Sequence, residues 1–209
     1  MQRPTLENVT VRTVRDATHI FYAVARNLLP IITRRLDADE RRAIKAGNVY
    51  VWEDRGGNSE SSGLGMERWT DGMSWGPSRV RDVRPGFLVA SLGILINREQ
   101  EFLYYTQKER DPSASGANSS SHAFGGPRSS RRPEHLMKQT YSVHVFLPQD
   151  RAQGVMRKWH LTAYFSQETV DSLTPVSALP GIGDVTVPEG WFRSARSSKT
   201  RRGGEPFGP

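Results

Sequence analysis

Two alternating segments constrain the fold of this chain most. Residues 140–147 (TYSVHVFL) switch between apolar and polar at nearly every step, and residues 157–165 (RKWHLTAYF) place Trp159, Leu161, Ala163 and Phe165 on one face. A period of two is the mark of a strand with one face buried. The spacer between them opens at Pro148 and closes at Gly154, so the two segments pair antiparallel across a loop.

The N-terminal half supplies helices and further strands. Asp16 is a good N-cap, and Ile20, Val24 and Leu28 recur at helical spacing with Ala17 and Phe21 widening the stripe, predicting a helix to about Leu28. Asp37 and Glu40 have capping-box spacing and Gly47 is a natural stop, predicting a second helix over 37–46. Val49, Tyr50, Val51 and Trp52 read as a strand with both aromatics on one face and both valines on the other. Residues 54–65 are rich in Gly, Ser and Asn and read as a mobile hairpin tip. Residues 101–106 (EFLYYT) form another strand, 167–173 a short helix capped by Ser166, and Trp191-Phe192 a dock for the C-terminal edge. The expected class is α+β, with a few strands and short helices in each of two lobes. The N-terminal region is 1–107 and the C-terminal region 134–193. Between them, 108–133 is a Ser, Gly, Pro and Arg linker with nothing to bury, expected to be disordered, and 194–209 is a basic tail.

Residues 83–100 (VRPGFLVASLGILINREQ) fit this scheme badly. They are apolar without alternation, and their removal joins RVRD directly to EFLYY. Val-Arg at one end and Gln at the other can be encoded as splice signals, and the length preserves the reading frame. The segment is therefore read as a retained intron that has been translated, the alternative being a genuine strand-rich insertion.

Composition narrows the chemistry. Lys and Arg total 29 against 22 Asp and Glu in 209 residues, a net charge of +7 carried mostly by clustered arginines, which favours a polyanionic partner. With no cysteine there is neither a disulfide nor a Cys-ligated zinc, and the five histidines (19, 122, 135, 144, 160) lack metal-ligand spacing. The longest apolar run, 86–96, falls short of the roughly 20 residues a bilayer span needs, so no membrane partner is expected. No nucleophile elbow, Walker loop or dinucleotide fingerprint occurs, and no cofactor, metal or catalytic residue is assigned.

Residues 68–79 (RWTDGMSWGPSR) stand apart. Asp71-Gly72 and Gly76-Pro77 are turn signals, and neither helical nor strand periodicity fits. Two tryptophans in one loop are best explained as anchors that hold the polar residues in fixed geometry. An arginine held in this way can enter a narrow A·T-rich minor groove, and Thr70, Asp71 and Ser74 can bond base edges or neighbouring arginines. The DNA-binding set is Arg68, Trp69, Thr70, Asp71, Gly72, Ser74, Ser78, Arg79, Arg81 and Lys138. A protein-interaction module using its basic surface, or an RNA binder, are the other readings of the same charges.

The motifs RPTLENVTVRTVRDATHIFYAV, TRRLDADERRAIKAGNVYVWED, GLGMERWTDGMSWGPSRVRD, LMKQTYSV, RKWHLTAYF and VPEGWFRSAR, in that order, make the chain resemble the WOPR-domain family of fungal transcriptional regulators. The linker and 83–100 fall outside the resemblance. It implies two conserved regions interlocked through one antiparallel β-sheet. It also implies sequence-specific binding of A·T-rich double-stranded DNA in the nucleus, with transcription co-regulators as further partners and a role in morphogenesis, development or sporulation. The family's minor-groove arginine corresponds to Arg68, with Thr70 and its neighbours at the DNA. Thr70 follows Arg68 in a weak basophilic-kinase pattern, with Glu67 where a second basic residue is preferred. A low-complexity tail beyond Pro209, where this sequence stops, would also suit the family.

Overall fold

The computed structural model describes residues 1–55, 65–79, 101–108 and 135–196. Most of the expected hairpin tip, the segment 83–100, the linker from 109 onward, the tail beyond 196 and Arg81 lie outside the described residues.

Strand β1 (Val9–Thr10) leads into helix α1 (Val14–Ala25), followed by helix α2 (Ala38–Arg42) and strand β2 (Val49–Glu53). Strand β3 (Leu103–Thr106) precedes the long strand β4 (Leu136–Val145), a helical turn α3 (Pro148–Arg151) and the equally long β5 (Arg157–Ser166). Short strands β6 (Thr174–Pro175) and β7 (Phe192–Ser194) complete the order. The alternating segments do form an antiparallel hairpin, longer than expected and in unbroken register from Leu136↔Ser166 to Val145↔Arg157.

Strands from the two halves of the chain share one sheet, in the order β2-β5-β4-β3. The C-terminal hairpin occupies the middle. β2 flanks β5, while β3 and β7 divide the outer edge of β4 between Met137–Thr140 and Val143–Val145. β1 pairs in parallel with β6, adding a second tie between the halves. The two lobes read from composition are thus one interlocked α+β unit.

Both faces of this sheet are covered. On one, the apolar stripe of α1 brings Ile20, Phe21 and Val24 against Val49, Val51, Val143, Trp159 and Leu161. The Phe21 ring lies 6.2 Å from Tyr141 and 5.9 Å from Phe192. On the other face, Tyr50, Trp52 and Tyr164 meet Ile32, Leu36, Ile44 and Met66, with Trp69, Met73 and Trp75 packed at the margin. β2 divides as its alternation predicted: its valines join one core and its aromatics the other.

Element ends differ from expectation for local reasons. α1 starts three residues early because Thr13, not Asp16, is the N-cap. The Thr13 hydroxyl accepts from Asp16 N–H, and the Asp16 carboxylate accepts from Thr13 N–H, a capping box with Asp16 at its third position. The helix stops short of Leu28 because Asn27 adopts φ 58° and Leu28 N–H turns back to the Ala23 carbonyl. The Asp37–Glu40 box forms as expected, but α2 ends at Arg42. Gly47 instead serves a close approach, since a Cβ there would lie 2.9 Å from Asn8 Cα. The expected helix at 167–173 is a 3-10 turn, Val170–Ser172, with the Ser166 hydroxyl accepting from Thr169 N–H. Among the described residues no helix is long and apolar enough to cross a membrane, and no group of three or more His, Asp and Glu could hold a metal.

Candidate nucleic-acid interface

Residues 68–75 run across the outer margin of the second core with strict alternation. Arg68, Thr70, Gly72 and Ser74 are exposed, while Trp69, Asp71, Met73 and Trp75 point inward. The chain then turns along the free edge of β3. Gly76 N–H donates to the Thr106 carbonyl (2.9 Å), and Arg79 and Tyr104 exchange both backbone hydrogen bonds (3.0 and 3.1 Å). Lys108 N–H reaches the Ser74 carbonyl from the same edge (2.9 Å). Backbone pairing therefore fixes the downstream half of the loop, and inward side chains fix the upstream half.

The inward anchors are specific. The Trp69 ring lies 5.0 Å from Tyr50 and stacks at 6.2 Å on Trp52, and its indole N–H donates to the Tyr164 hydroxyl at 2.7 Å. Trp75 sits 6.0 Å from the Tyr164 ring, and its N–H forks onto both Asp71 carboxylate oxygens at 3.0 Å. Asp71 also accepts from Met73 N–H (3.1 Å), the Tyr164 hydroxyl (2.8 Å) and the Lys138 ammonium (3.1 Å). Lys138 is held over the Trp75 ring at 4.4 Å and near Tyr105 at 5.0 Å. Both members of the pair are covered, with side-chain exposures of 5% for Asp71 and 12% for Lys138.

The charges follow from this packing. Burial acts to raise the Asp71 carboxyl, but the Trp75 hydrogen bond, the Lys138 charge and the Tyr164 and Met73 donors outweigh it, so the carboxyl is held below its usual range. Burial lowers Lys138 against the pull of Asp71. Burial also raises the Tyr164 phenol well above its ordinary value, and Asp71 adds to the shift. The hub is an ionised carboxylate, an ammonium and a neutral phenol.

Of the sequence-derived set, Arg68, Thr70, Gly72 and Ser74 form one outward row, and Ser78 and Arg79 continue the exposed surface along the β3 edge. Trp69 and Trp75 are the anchors they were expected to be. Asp71 and Lys138 are brought together as the inward clamp beneath that row. Gly72 takes φ 74°, and a Cβ there would lie 3.4 Å from Arg41 Cδ, so Arg41 stands beside the row as an additional cation. Tyr164, Trp52 and Tyr50 were missed as parts of the site. The signal lay in β2, whose two apolar faces require the neighbouring β5 to be covered on its even-numbered face as well.

Comparisons with known proteins converge. The Gti1/Pac2 family matches residues 8–89. The cAMP-independent regulatory protein pac2 of Schizosaccharomyces pombe is 30% identical over 214 residues, spanning 88% of this chain and 80% of that protein. The global transcription regulator sge1 of Gibberella moniliformis is 37% identical over 79 residues, which is 37% of this chain and 22% of that protein. Among solved structures, the WOPR domain of Wor1 from Candida albicans in complex with a 13bp dsDNA superposes with TM-score 0.58 at 22% identity, covering 90% of this chain and 94% of that one. A fungal protein gives TM-score 0.56 at 23% identity, with 86% and 84% covered.

Proposed function

The chain belongs to the Gti1/Pac2 family, and from that premise we propose that it is a nuclear, sequence-specific DNA-binding transcriptional regulator of fungal morphogenesis or development. It reads A·T-rich duplex DNA through residues 68–79 and is not an enzyme. The carrying observation is the alternation of the loop: a row of exposed Arg68, Thr70, Gly72 and Ser74 held by inward neighbours, Asp71 buried and Trp69, Met73 and Trp75 half-buried, at every second position. The relatives named as transcription regulators and the likeness to a domain solved in complex with double-stranded DNA support the same reading.

Arg68 is the minor-groove candidate. Its side chain is exposed, it carries a fixed charge, and Trp69 immediately after it is pinned on two sides. Negative potential is deepest in narrow A·T-rich minor grooves, where an inserted arginine gains most. Arg79, Arg41 and, beyond the described residues, Arg81 and the basic tail would supply phosphate contacts, which set affinity and salt dependence rather than preference. The test is selection from a random duplex library with purified protein, followed by Arg68→Ala. The substitution should cost about 1–3 kcal/mol on the selected site and relax preference for it. Failure of folded protein to select any motif would favour an acidic protein partner, and stronger binding to RNA competitor an RNA ligand.

A further inference from the structure

We infer that Tyr164 is the positioning residue for sequence reading: its hydroxyl ties Trp69 to Asp71 and so fixes the outward direction of Arg68 and Thr70. The inference rests on the DNA-reading role proposed for the loop. Tyr164 is itself only 1% exposed and cannot touch DNA.

The hydrogen-bond polarity is forced. An indole N–H only donates and an ionised carboxylate only accepts. The Tyr164 oxygen carries one proton, which goes to Asp71 at 2.8 Å, leaving its lone pairs to receive Trp69 at 2.7 Å. One atom thereby pins two inward residues that flank Thr70. In an extended segment those two lie about 7 Å apart along the chain. With both ends held, the Thr70 side chain is confined to the opposite face, and Arg68 leaves the surface from a fixed neighbour.

The base of the pin is equally firm. Tyr164 lies on β5 opposite Lys138 of β4, and on the other side its N–H donates to the Asn48 carbonyl (2.9 Å) while its carbonyl accepts from Gly47 N–H (2.8 Å), beside β2. Its ring is held edge-on to Tyr50 at 6.0 Å and beside Trp75 at 6.0 Å. The loop takes its rigidity from the centre of the sheet, which suits a site that must hold geometry to a fraction of an ångström. Phenylalanine would keep the ring contacts and lose both hydrogen bonds, which isolates the hydroxyl's role.

The experiment compares the full chain with Tyr164→Phe, Trp69→Phe, the double variant and Arg68→Ala. Binding is measured to a library-selected duplex and to a scrambled duplex, well below the unfolding temperature. For Tyr164→Phe the expected result is a cooperative fold, about tenfold weaker binding to the selected duplex, and unchanged affinity and salt slope on the scrambled one. Trp69→Phe removes the donor of a hydrogen bond whose acceptor Tyr164→Phe removes, so the double variant should lose no more selectivity than Tyr164→Phe alone. The inference is overturned if Arg68→Ala collapses selectivity while Tyr164→Phe retains it. It is overturned equally if Tyr164→Phe weakens both duplexes alike, which marks a general structural role. If Arg68→Ala leaves selectivity intact, the DNA-reading role of the loop fails, and the positioning role fails with it; that outcome is separately recognisable.

Discussion

Burial pulls the His160 imidazole from 6.5 down to about 4; repulsion from Lys158 adds to this, and Asp54 recovers only part. The ring stacks at 4.1 Å on Trp52, and its Nδ1 lies 2.7 Å from the Ser142 hydroxyl. The folded state therefore keeps the ring neutral, while the unfolded chain takes up a proton near its ordinary value. The resulting stabilisation is full above about pH 6.5 and fades as pH falls from there toward about 4, a loss of about 3 kcal/mol. Urea midpoints should fall across that window, and His160→Gln should flatten the fall. Asp71 acts lower on the scale: with its carboxyl depressed, its share persists through that window and is lost only as pH drops through the folded-state value, below the ordinary carboxyl range. Asp71→Ala leaves the Lys138 charge covered and unpaired and removes the acceptor of two aromatic donors. It should cost about 3–5 kcal/mol in urea unfolding.

At the scale of the element, the backbone pairing of Arg79 with Tyr104 bears on residues 83–100. Excising them would join Asp82 to Glu101 and leave only 80–82 and 101–103 between the bridged pair, a short connection of the kind that closes antiparallel strands. A chain lacking 83–100 should therefore fold with an unchanged or higher melting temperature and bind the same duplex. A large drop in melting temperature would refute the retained-intron proposal. The central strands and α1 were legible in the sequence because period-two and period-3.6 patterns survive in single segments. The anchoring of the loop was not. Its inward set is Trp69, Asp71, Met73 and Trp75, and the aspartate at the second position breaks the apolar pattern that would have betrayed an extended segment. Besides the local Trp75 and Met73 donors, the distant Tyr164 and Lys138, brought up by β5 and β4, are needed to make a buried carboxylate tolerable there. Short-range reading has no access to such partners. The same limit explains α2, where the cap was visible but the early end was not.

For the whole molecule, the decisive fact is that the C-terminal hairpin lies in the middle of a sheet whose flanking strands β2 and β3 come from the other half. Expressed alone, 135–196 would expose the β5 edge, the Met137–Thr140 part of the β4 edge and two apolar faces, and it should aggregate or remain unfolded. Mixed with 1–108, it should regain a cooperative transition; circular dichroism of the separate and combined fragments checks this. A reporter of folding in either half then becomes a reporter of the reading surface, because Asp71 and Tyr164 come from opposite halves.

The alternation of residues 68–75 also separates two kinds of evolutionary freedom. Inward positions are bound to one another and to the sheet, so change there is punished in every context. Outward positions such as Thr70 and Ser74 owe the fold almost nothing. A lineage, or a designer, can therefore retune what the surface prefers by rewriting alternate letters of one short stretch, without renegotiating the architecture beneath it.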